Sequence, residues 1–167
     1  MIFVTVGTHE QQFNRLIQYI DDLKRDGIIT EEVVMQTGFC TYEPKYCKWS
    51  KLIPYKQMIE NVEKARIVIT HGGPSSFIMP LQINKIPIVD PRQEKFEEHV
   101  NNHQLEFAKA VAQRQKNILV VEDIEELKGL ILNYDEKISN LSNGLNSNNK
   151  VFNDEFEKIV EGLMYGK

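Results

Sequence analysis

Residues 67–76 read IVITHGGPSS, and this stretch decides the predicted fold. Its β-branched first part, Ile67–Thr70, is typical of a buried parallel strand. Two glycines follow, which permit positive φ angles and close approach of the backbone. Pro74 and Ser75 then suit the first turn of a helix. A strand, a glycine turn and a helix start together direct backbone N–H groups and a helix dipole at an anion, so the stretch predicts a phosphate-binding turn.

Polar side chains follow the next predicted strand, which is the apolar run IPIV at residues 86–89. The loop would lie at the carboxyl end of its strand, beside the glycine turn, where open α/β sheets bind ligands. The two stretches together predict a nucleotide-diphosphate site with polar groups set out for a sugar. The polar residues of the loop are Arg92, Glu98, His99, Asn101, Asn102, His103 and Gln104.

A similar strand, turn and helix stand at the start of the sequence. Residues 2–6 read IFVTV and predict a strand, which Gly7, Thr8 and His9 follow. Apolar residues at helical spacing then predict a helix of about four turns. Such a βα unit is of nucleotide-binding type, although glycine turns join strands to helices in many proteins. The apolar residues of this helix are Phe13, Leu16, Ile17, Ile20 and Leu23.

Strands and helices alternate along most of the chain, which predicts an α/β fold with a Rossmann-like parallel sheet and helices on both faces. Residues 39–50 are aromatic and irregular, and we interpret them as a loop that covers the core in preference to a base-stacking surface. The further predicted strands are residues 33–37 and 118–121. The further helices have apolar stripes at Met58, Ile59 and Val62, at Leu105, Phe107, Ala108 and Val111, and at Leu127, Leu130, Ile131 and Tyr134.

Three segments make up the predicted domain organisation. Residues 1–138 form one nucleotide-sugar-binding domain. Residues 139–150, SNLSNGLNSNNK, have little to bury and predict a flexible linker. Residues 151–167 predict an amphipathic helix, which either folds back on the sheet or binds a partner. Its apolar residues are Phe152, Phe156, Ile159, Val160 and Leu163.

Length, charge and cysteine content narrow the class of protein. The 167 residues suffice for one domain with a hydrophobic core. The net charge of −4 provides no basic surface, so nucleic acid is not an expected partner. Cys40 and Cys47, in a sequence with no signal peptide, predict reduced thiols in a cytoplasmic protein, and their spacing predicts no zinc site. No apolar run approaches the length that spans a bilayer.

Three motifs carry a family resemblance: THGGPSSF at residues 70–77, KIPIVDPRQ at 85–93 and EHVNNHQ at 98–104. In order and spacing they resemble the donor-binding half of GT-B glycosyltransferases, in the branch that contains the lipid II-forming N-acetylglucosaminyltransferase. Within that branch, the chain most resembles the small soluble subunits of two-part transferases, which act in N-glycan, bacterial capsule or exopolysaccharide synthesis. The resemblance covers residues 1–123.

The resemblance implies a UDP-sugar site that needs neither a metal ion nor a cofactor, and the sequence has no Asp-x-Asp motif. In the family the first glycine turn faces a cleft near the donor phosphates, so His9 is a phosphate ligand, a weak candidate for the catalytic base, or an exposed loop residue. The residues implied for the nucleotide and diphosphate are Gly7, Thr8, Ile53, His71, Gly72, Gly73, Ser75 and Ser76. Those implied for the sugar are Glu98, His99, Asn102 and Gln104.

The implied activity is an inverting transfer of a hexose from UDP-galactose or a UDP-N-acetylhexosamine to a lipid-linked saccharide, in bacterial capsule or exopolysaccharide synthesis. Since one domain supplies only the donor half, the resemblance also implies a membrane-anchored subunit that binds the acceptor. The chain would then lie in the cytoplasm, at the inner face of the membrane through this partner.

Two other functions compete with this one. Pro80 stands where many relatives carry a glutamate that binds the ribose, so a non-catalytic, nucleotide-sugar-binding regulatory subunit is the first alternative. The second is an unrelated nucleotide-binding protein of flavodoxin-like topology. The absence of a G-x-G-x-x-G motif and of a P-loop lysine from the sequence disfavours the second alternative.

Overall fold

A single sheet of six strands organises the computed structural model, which describes residues 1–141. The strands are β1 (Ile2–Thr5), β2 (Val33–Gln36), β3 (Lys48–Ser50), β4 (Ile67–Thr70), β5 (Ile88–Val89) and β6 (Leu119–Val120). Their order in the sheet is β3-β2-β1-β4-β5-β6, and every neighbouring pair is parallel. The predicted Rossmann-like α/β fold is therefore confirmed.

Helices cover both faces of this sheet. They are α1 (Asn14–Arg25), α2 (Tyr55–Lys64), α3 (Pro74–Gln82), α4 (His103–Gln115), α5 (Glu126–Leu132) and α6 (Tyr134–Ser139). Successive side chains of a strand point to opposite faces. Val4 of β1 accordingly belongs to the core cluster that contains Leu16 of α1 and Leu127 of α5, whereas Phe3 belongs to the cluster that contains Val62 of α2.

The register of the central strands positions the site. Thr5, the last residue of β1, is paired with Gln36 of β2 on one side and with Thr70 of β4 on the other. The carboxyl ends of three strands therefore lie side by side. The turn that leaves β1 consequently meets the turn that leaves β4, although the two are far apart in the sequence.

The stretch predicted as a covering loop contains an edge strand, so that prediction is wrong for β3. This strand has only three residues, and only Trp49 among them is partly buried, so its sequence lacks an apolar run. A buried carboxylate holds the preceding segment in place. Asp21 of α1 accepts backbone N–H groups from Lys45, Tyr46 and Cys47 at 2.8, 2.9 and 3.0 Å.

The end of the described region differs from the prediction in one further respect. The predicted helix around residues 127–134 is two helices, α5 and α6, and α6 extends one residue past the predicted domain end at residue 138. The predicted linker from residue 142 onward and the predicted helix 151–167 lie outside the described residues. Within residues 1–141, no helix has the length and apolar character that crossing a membrane requires.

Candidate functional site

A cavity of about 480 Å³, here called the first cavity, opens at the carboxyl ends of β1, β2 and β4. It brings together most residues that were predicted for the nucleotide and diphosphate, namely Gly7, Thr8, Ile53, His71, Ser75 and Ser76, together with His9. Gly72 and Gly73 belong to the same turn but do not line the cavity. The remaining lining residues are Thr5, Gln36, Tyr55, Met58, Val62 and Met79.

The imidazole of His71 lies buried between the two glycine turns. Its Nδ1 accepts the backbone N–H of Gly73 at 3.0 Å, and its Nε2 lies 2.9 Å from Oγ of Ser76. Because Nδ1 is an acceptor, the neutral ring carries its proton on Nε2 and donates it to Ser76. The hydroxyl proton of Ser76 is then left for a ligand.

His71 is neutral at physiological pH. Burial, and to a smaller degree the charge of Arg92, lower the pKa of His71 to about 4. A neutral ring that is bonded on both nitrogens cannot serve as a cationic phosphate ligand. His71 therefore orients Ser76 and the backbone of Gly73, and the candidate anion donors are the hydroxyl and backbone groups around it.

The packing of this ring requires one glycine in each turn. A Cβ built on Gly7 or on Gly73 would lie less than 3.0 Å from the His71 imidazole. Gly7 also has a φ of 72°, which disfavours any other residue. Gly73 has a φ of −72°, and the described glycines with positive φ do not include Gly72. Close approach, and not a positive φ angle, is thus the reason for the second turn's glycines.

The start of α3 borders the first cavity. Gly73 is the N-cap residue and Pro74 follows it, and none of the side chains in residues 1–141 caps this helix end. Pro74 has no N–H group, so the donors nearest the end are the backbone of Ser75 and the side chains of Ser75 and Ser76, both of which line the cavity. Such a helix start suits an anionic group.

A second cavity of about 440 Å³ borders the same turn at Gly72 and Pro74. Two residues that were predicted for the sugar line it, His99 and Gln104. Asn102 does not line it, and its side-chain oxygen accepts a hydrogen bond from the backbone N–H of Glu94 at 3.0 Å. The other lining residues are Gly72, Pro74, His103, Glu106 and Phe107.

Glu98 lies outside both cavities, and the prediction that it contacts the sugar needs correction. Its side chain is 1% exposed. Arg15 donates to its two carboxylate oxygens at 2.9 and 3.1 Å, and the backbone N–H of Gln93 donates to one of them at 3.1 Å. Arg15 also binds Asp90 through two nitrogens, and burial raises the pKa of Asp90 to about 7. Glu98 thus fastens the loop after β5 to α1.

Arg92 was predicted only as one of the polar residues of the loop after β5, with no assigned ligand contact, yet it connects the two halves of the site. It is 1% exposed, and its guanidinium donates to the carbonyls of Val6, Gln11 and Gln12 at 2.8–3.1 Å. These carbonyls flank the first glycine turn. Because an arginine in a polar loop usually lies in solvent, sequence pattern alone gives no signal for this role.

His9 lies exposed at the mouth of the first cavity. Its Nδ1 accepts the backbone N–H of Gln11 at 3.2 Å, and its ring centroid lies 5.3 Å from that of His99. With Nδ1 used as an acceptor, the outer nitrogen of the neutral ring carries the proton. This tautomer can donate to a phosphate, but it cannot act as the catalytic base through that nitrogen.

Several residues of the first cavity were missed by sequence reasoning. Gln36 ends a strand and Thr5 ends its neighbour, so a polar residue that closes an apolar run was the available signal for both. The apolar wall beside Ile53 comes from α2 and α3, where such residues read as ordinary core positions. Within residues 1–141, no group of three His, Cys, Asp or Glu side chains is arranged to hold a metal ion.

Comparison with known proteins gives consistent results. Residues 1–161 match the model of the glycosyltransferase family 28 C-terminal domain. The human UDP-N-acetylglucosamine transferase subunit ALG13 is 33% identical over 117 residues, which cover 65% of this chain and 10% of the human protein. The crystal structure of the glycosyltransferase of kitacinnamycin has a TM-score of 0.58 and 16% identity, and the match covers 86% of this chain and 38% of that one.

A second solved structure, the glycosyltransferase SnogD from Streptomyces nogalater, has a TM-score of 0.50 and 16% identity over 87% of this chain and 39% of that one. At this level of identity the two structures show a shared fold alone. The chain also spans about a tenth of the human relative and less than two fifths of either structure. The family match, which extends over nearly the whole sequence, shows that the chain belongs to the glycosyltransferase family 28 C-terminal domain family.

Proposed function

We propose that this chain is the donor-binding, catalytic subunit of an inverting glycosyltransferase that takes a hexose from a UDP-sugar. The observation that carries the proposal is the first cavity, where two glycine turns and a helix start converge on one side and apolar residues form the other. Family membership supports the reaction class. A cavity with one anion-binding end and one apolar end suits a nucleoside diphosphate.

The proposed placement follows the lining residues. The diphosphate lies beside Gly7 and against Ser75 and Ser76, where the two hydroxyl groups and the backbone N–H of Ser75 supply donors. The uracil lies against Ile53 and Met58, and backbone groups near Ile53 supply its hydrogen bonds. The sugar extends past the turn toward the second cavity, where His99 and Gln104 supply polar atoms.

Charge stabilisation of the leaving group is the chemistry that this chain contributes. The acceptor hydroxyl attacks the anomeric carbon, the bond from that carbon to the diphosphate breaks, and UDP leaves with the electron pair. Fixed donors aimed at the developing negative charge are usually the largest catalytic term. The Ser76 hydroxyl, oriented by His71, and the outer N–H of His9 are such donors.

A second subunit completes the proposed enzyme. We assign His9 the role of a donor to the phosphates, and we propose that the base that takes the acceptor proton comes from a membrane-anchored partner that also binds the lipid-linked saccharide. This chain would lie at the inner face of the membrane through that partner, in bacterial capsule or exopolysaccharide synthesis. The name of the human relative supports a UDP-N-acetylhexosamine as donor, with UDP-galactose as the other candidate.

One observation favours a non-catalytic regulatory subunit as the second candidate. Pro80, at the position where the sequence resemblance leads one to expect a ribose-binding glutamate, is buried inside α3 and does not line the first cavity. The two candidates differ in a reconstituted complex. Ser76→Ala should lower the rate of transfer if this chain is catalytic, and should leave the maximal rate unchanged if another subunit performs the reaction.

Calorimetric titration tests the ligand class. The folded chain should bind UDP and UDP-N-acetylglucosamine in the presence of a chelator, and it should bind ADP more weakly. Absence of heat with millimolar UDP would contradict the proposal. Transfer to a lipid-linked acceptor should require addition of the membrane-anchored partner, and full activity of the isolated chain would refute the two-subunit arrangement.

A further inference from the structure

Gln36 forms part of the floor of the first cavity, and the function proposed above assigns it no role. It is the last residue of β2, it is 3% exposed, and it lines the cavity. A buried amide requires hydrogen-bond partners for its oxygen and for its two N–H groups. The partners of Gln36 account for the oxygen only.

A short chain of hydrogen bonds fixes the orientation of the side-chain amide of Gln36. The backbone N–H of Gly7 donates to Oγ1 of Thr5 at 3.3 Å, and the Thr5 hydroxyl donates to Oε1 of Gln36 at 2.6 Å. Since the oxygen faces Thr5, the NH₂ group of Gln36 faces away from it. Within residues 1–141 no acceptor binds this NH₂ group, and it is not among the fully enclosed polar atoms. The donors therefore remain available to the cavity.

The order of the strands places this NH₂ group between the two ends of the cavity. The first glycine turn follows β1, and Ile53 follows β3, while β2 runs between these two strands. Donors for an anion lie on the side of His71, Ser75 and Ser76, and the apolar wall lies on the side of Ile53. A nucleoside diphosphate that spans the cavity therefore brings its ribose over Gln36.

The helices that border the cavity offer no side chain for the same task. Of the α3 residues that line the cavity, Ser75 and Ser76 lie at the helix start and Met79 is apolar. Met58 and Val62 of α2 are apolar, and Tyr55 of the same helix is 75% exposed. Among the described residues at this point of the floor, Thr5 and Gln36 are buried polar residues, and Gln36 is the one with unused side-chain donors.

We propose that Gln36 binds the ribose of the donor nucleotide, by donating a hydrogen bond from its side-chain amide to a ribose hydroxyl oxygen. The assignment rests on the proposed binding of a UDP-sugar. It makes Gln36 a residue that selects ribonucleotides, because a 2′- or 3′-deoxyribose removes the acceptor and leaves the buried amide unpaired.

Titrations with UDP, 2′-deoxy-UDP and 3′-deoxy-UDP test this role in wild type and in Gln36→Leu. Wild type should bind at least one deoxy analogue about three- to tenfold more weakly than UDP, as expected for loss of one hydrogen bond. Gln36→Leu should weaken UDP by a similar factor and should weaken that deoxy analogue less than twofold. The matched control is Gln82→Leu, at the exposed end of α3, which should change none of these affinities.

Each outcome has a distinct meaning. If wild type binds UDP and both deoxy analogues equally, the ribose assignment is overturned, and this measurement does not depend on the variant folding. If Gln36→Leu is folded and loses affinity equally for all three ligands, Gln36 acts on the base or phosphates instead, which also overturns it. If wild type does not bind UDP at all, the proposed function fails and the ribose assignment fails with it.

Discussion

The first cavity and the loop after β5 contain similar polar side chains, but their hydrogen bonds differ. In the first cavity, the Ser76 hydroxyl and the Gln36 amide each have donors that residues 1–141 leave unused. In the loop, Glu98 and Asn102 already accept hydrogen bonds from Arg15 and Glu94. Buried or partly buried polar side chains thus prepare a ligand site in one region and hold the backbone in the other.

The difference shows that free hydrogen-bonding capacity, more than polarity, marks a binding surface. Burying a polar group is costly unless it is hydrogen-bonded, so a buried group with partners stabilises the fold, whereas one with an unused donor requires an explanation. Four substitutions or conditions, ordered from the largest expected effect to the smallest, test the contrast between the two regions.

Glu98→Ala should lower the free energy of unfolding by about 2–3 kcal/mol, because Arg15 keeps Asp90 but loses its second carboxylate partner, and the N–H of Gln93 loses its acceptor. Urea unfolding measures the change. Glu94→Ala, on an exposed residue of the same loop, is the control and should stay within about 0.5 kcal/mol of wild type. A stable Glu98→Ala protein with impaired sugar binding would restore Glu98 to the binding surface.

Gly73→Ala should destabilise the protein by about 1–3 kcal/mol, since its Cβ would overlap the His71 ring. Gly129→Ala in α5 is the control, because within residues 1–141 no heavy atom outside its chain neighbours and the backbone of its own helix lies within 4 Å of the Cβ it would add. Combining Gly73→Ala with His71→Ala should recover part of the loss in a double-mutant cycle. If the two substitutions change the free energy of unfolding additively, the His71 ring is not the group that excludes a Cβ at position 73.

Acidification should weaken the fold through His71. Its pKa is lowered from 6.5 to about 4, so its contribution is fully present above pH 6.5 and is lost as the pH falls toward 4. Linkage then gives about 2 kcal/mol less stability at pH 5 than at pH 7. The quantity to compare is this pH difference in wild type and in His71→Asn, because Asp90 and the other acids titrate in both. An equal pH difference in the two proteins would contradict the prediction.

His99→Ala should have the smallest effect, and only on the sugar. We expect it to weaken a UDP-sugar by about 1 kcal/mol, or roughly fivefold, while UDP itself binds as before. The two ligands serve as controls for each other in one calorimetric series. Equal weakening of both would place His99 at the nucleotide and would merge the two cavities into one functional region.

The sequence allowed the fold and about half of the residues that line the first cavity to be predicted. β1 and β4 are buried on both faces, so each is a continuous apolar run that a pattern can detect, and glycines at their ends mark the turns. Ile53 was predicted from the family resemblance, which implies that its segment contacts the nucleotide. These features are local in the sequence, and local features are what pattern reasoning detects.

The roles of Glu98 and Arg92 could not be predicted, because their partners lie far away in the sequence. Whether Glu98 faces a ligand or Arg15 depends on how α1 packs against the loop after β5. The reason for glycine at position 73 depends on the His71 ring, whose placement follows from the pairing of β1 with β4. β3 was missed for a different reason, since a short, exposed edge strand has no apolar signature.

The position of the His71 ring between two turns has a consequence for how the protein folds. One turn follows β1 and the other follows β4. Before these two strands pair, the turns are not held together and the nucleotide cavity between them has not formed. Nucleotide affinity should then arise together with sheet assembly, and any opening that separates β4 from β1 should release the ligand. A bound nucleotide would consequently protect the whole central sheet against hydrogen exchange, and its protection would extend well beyond the residues it touches.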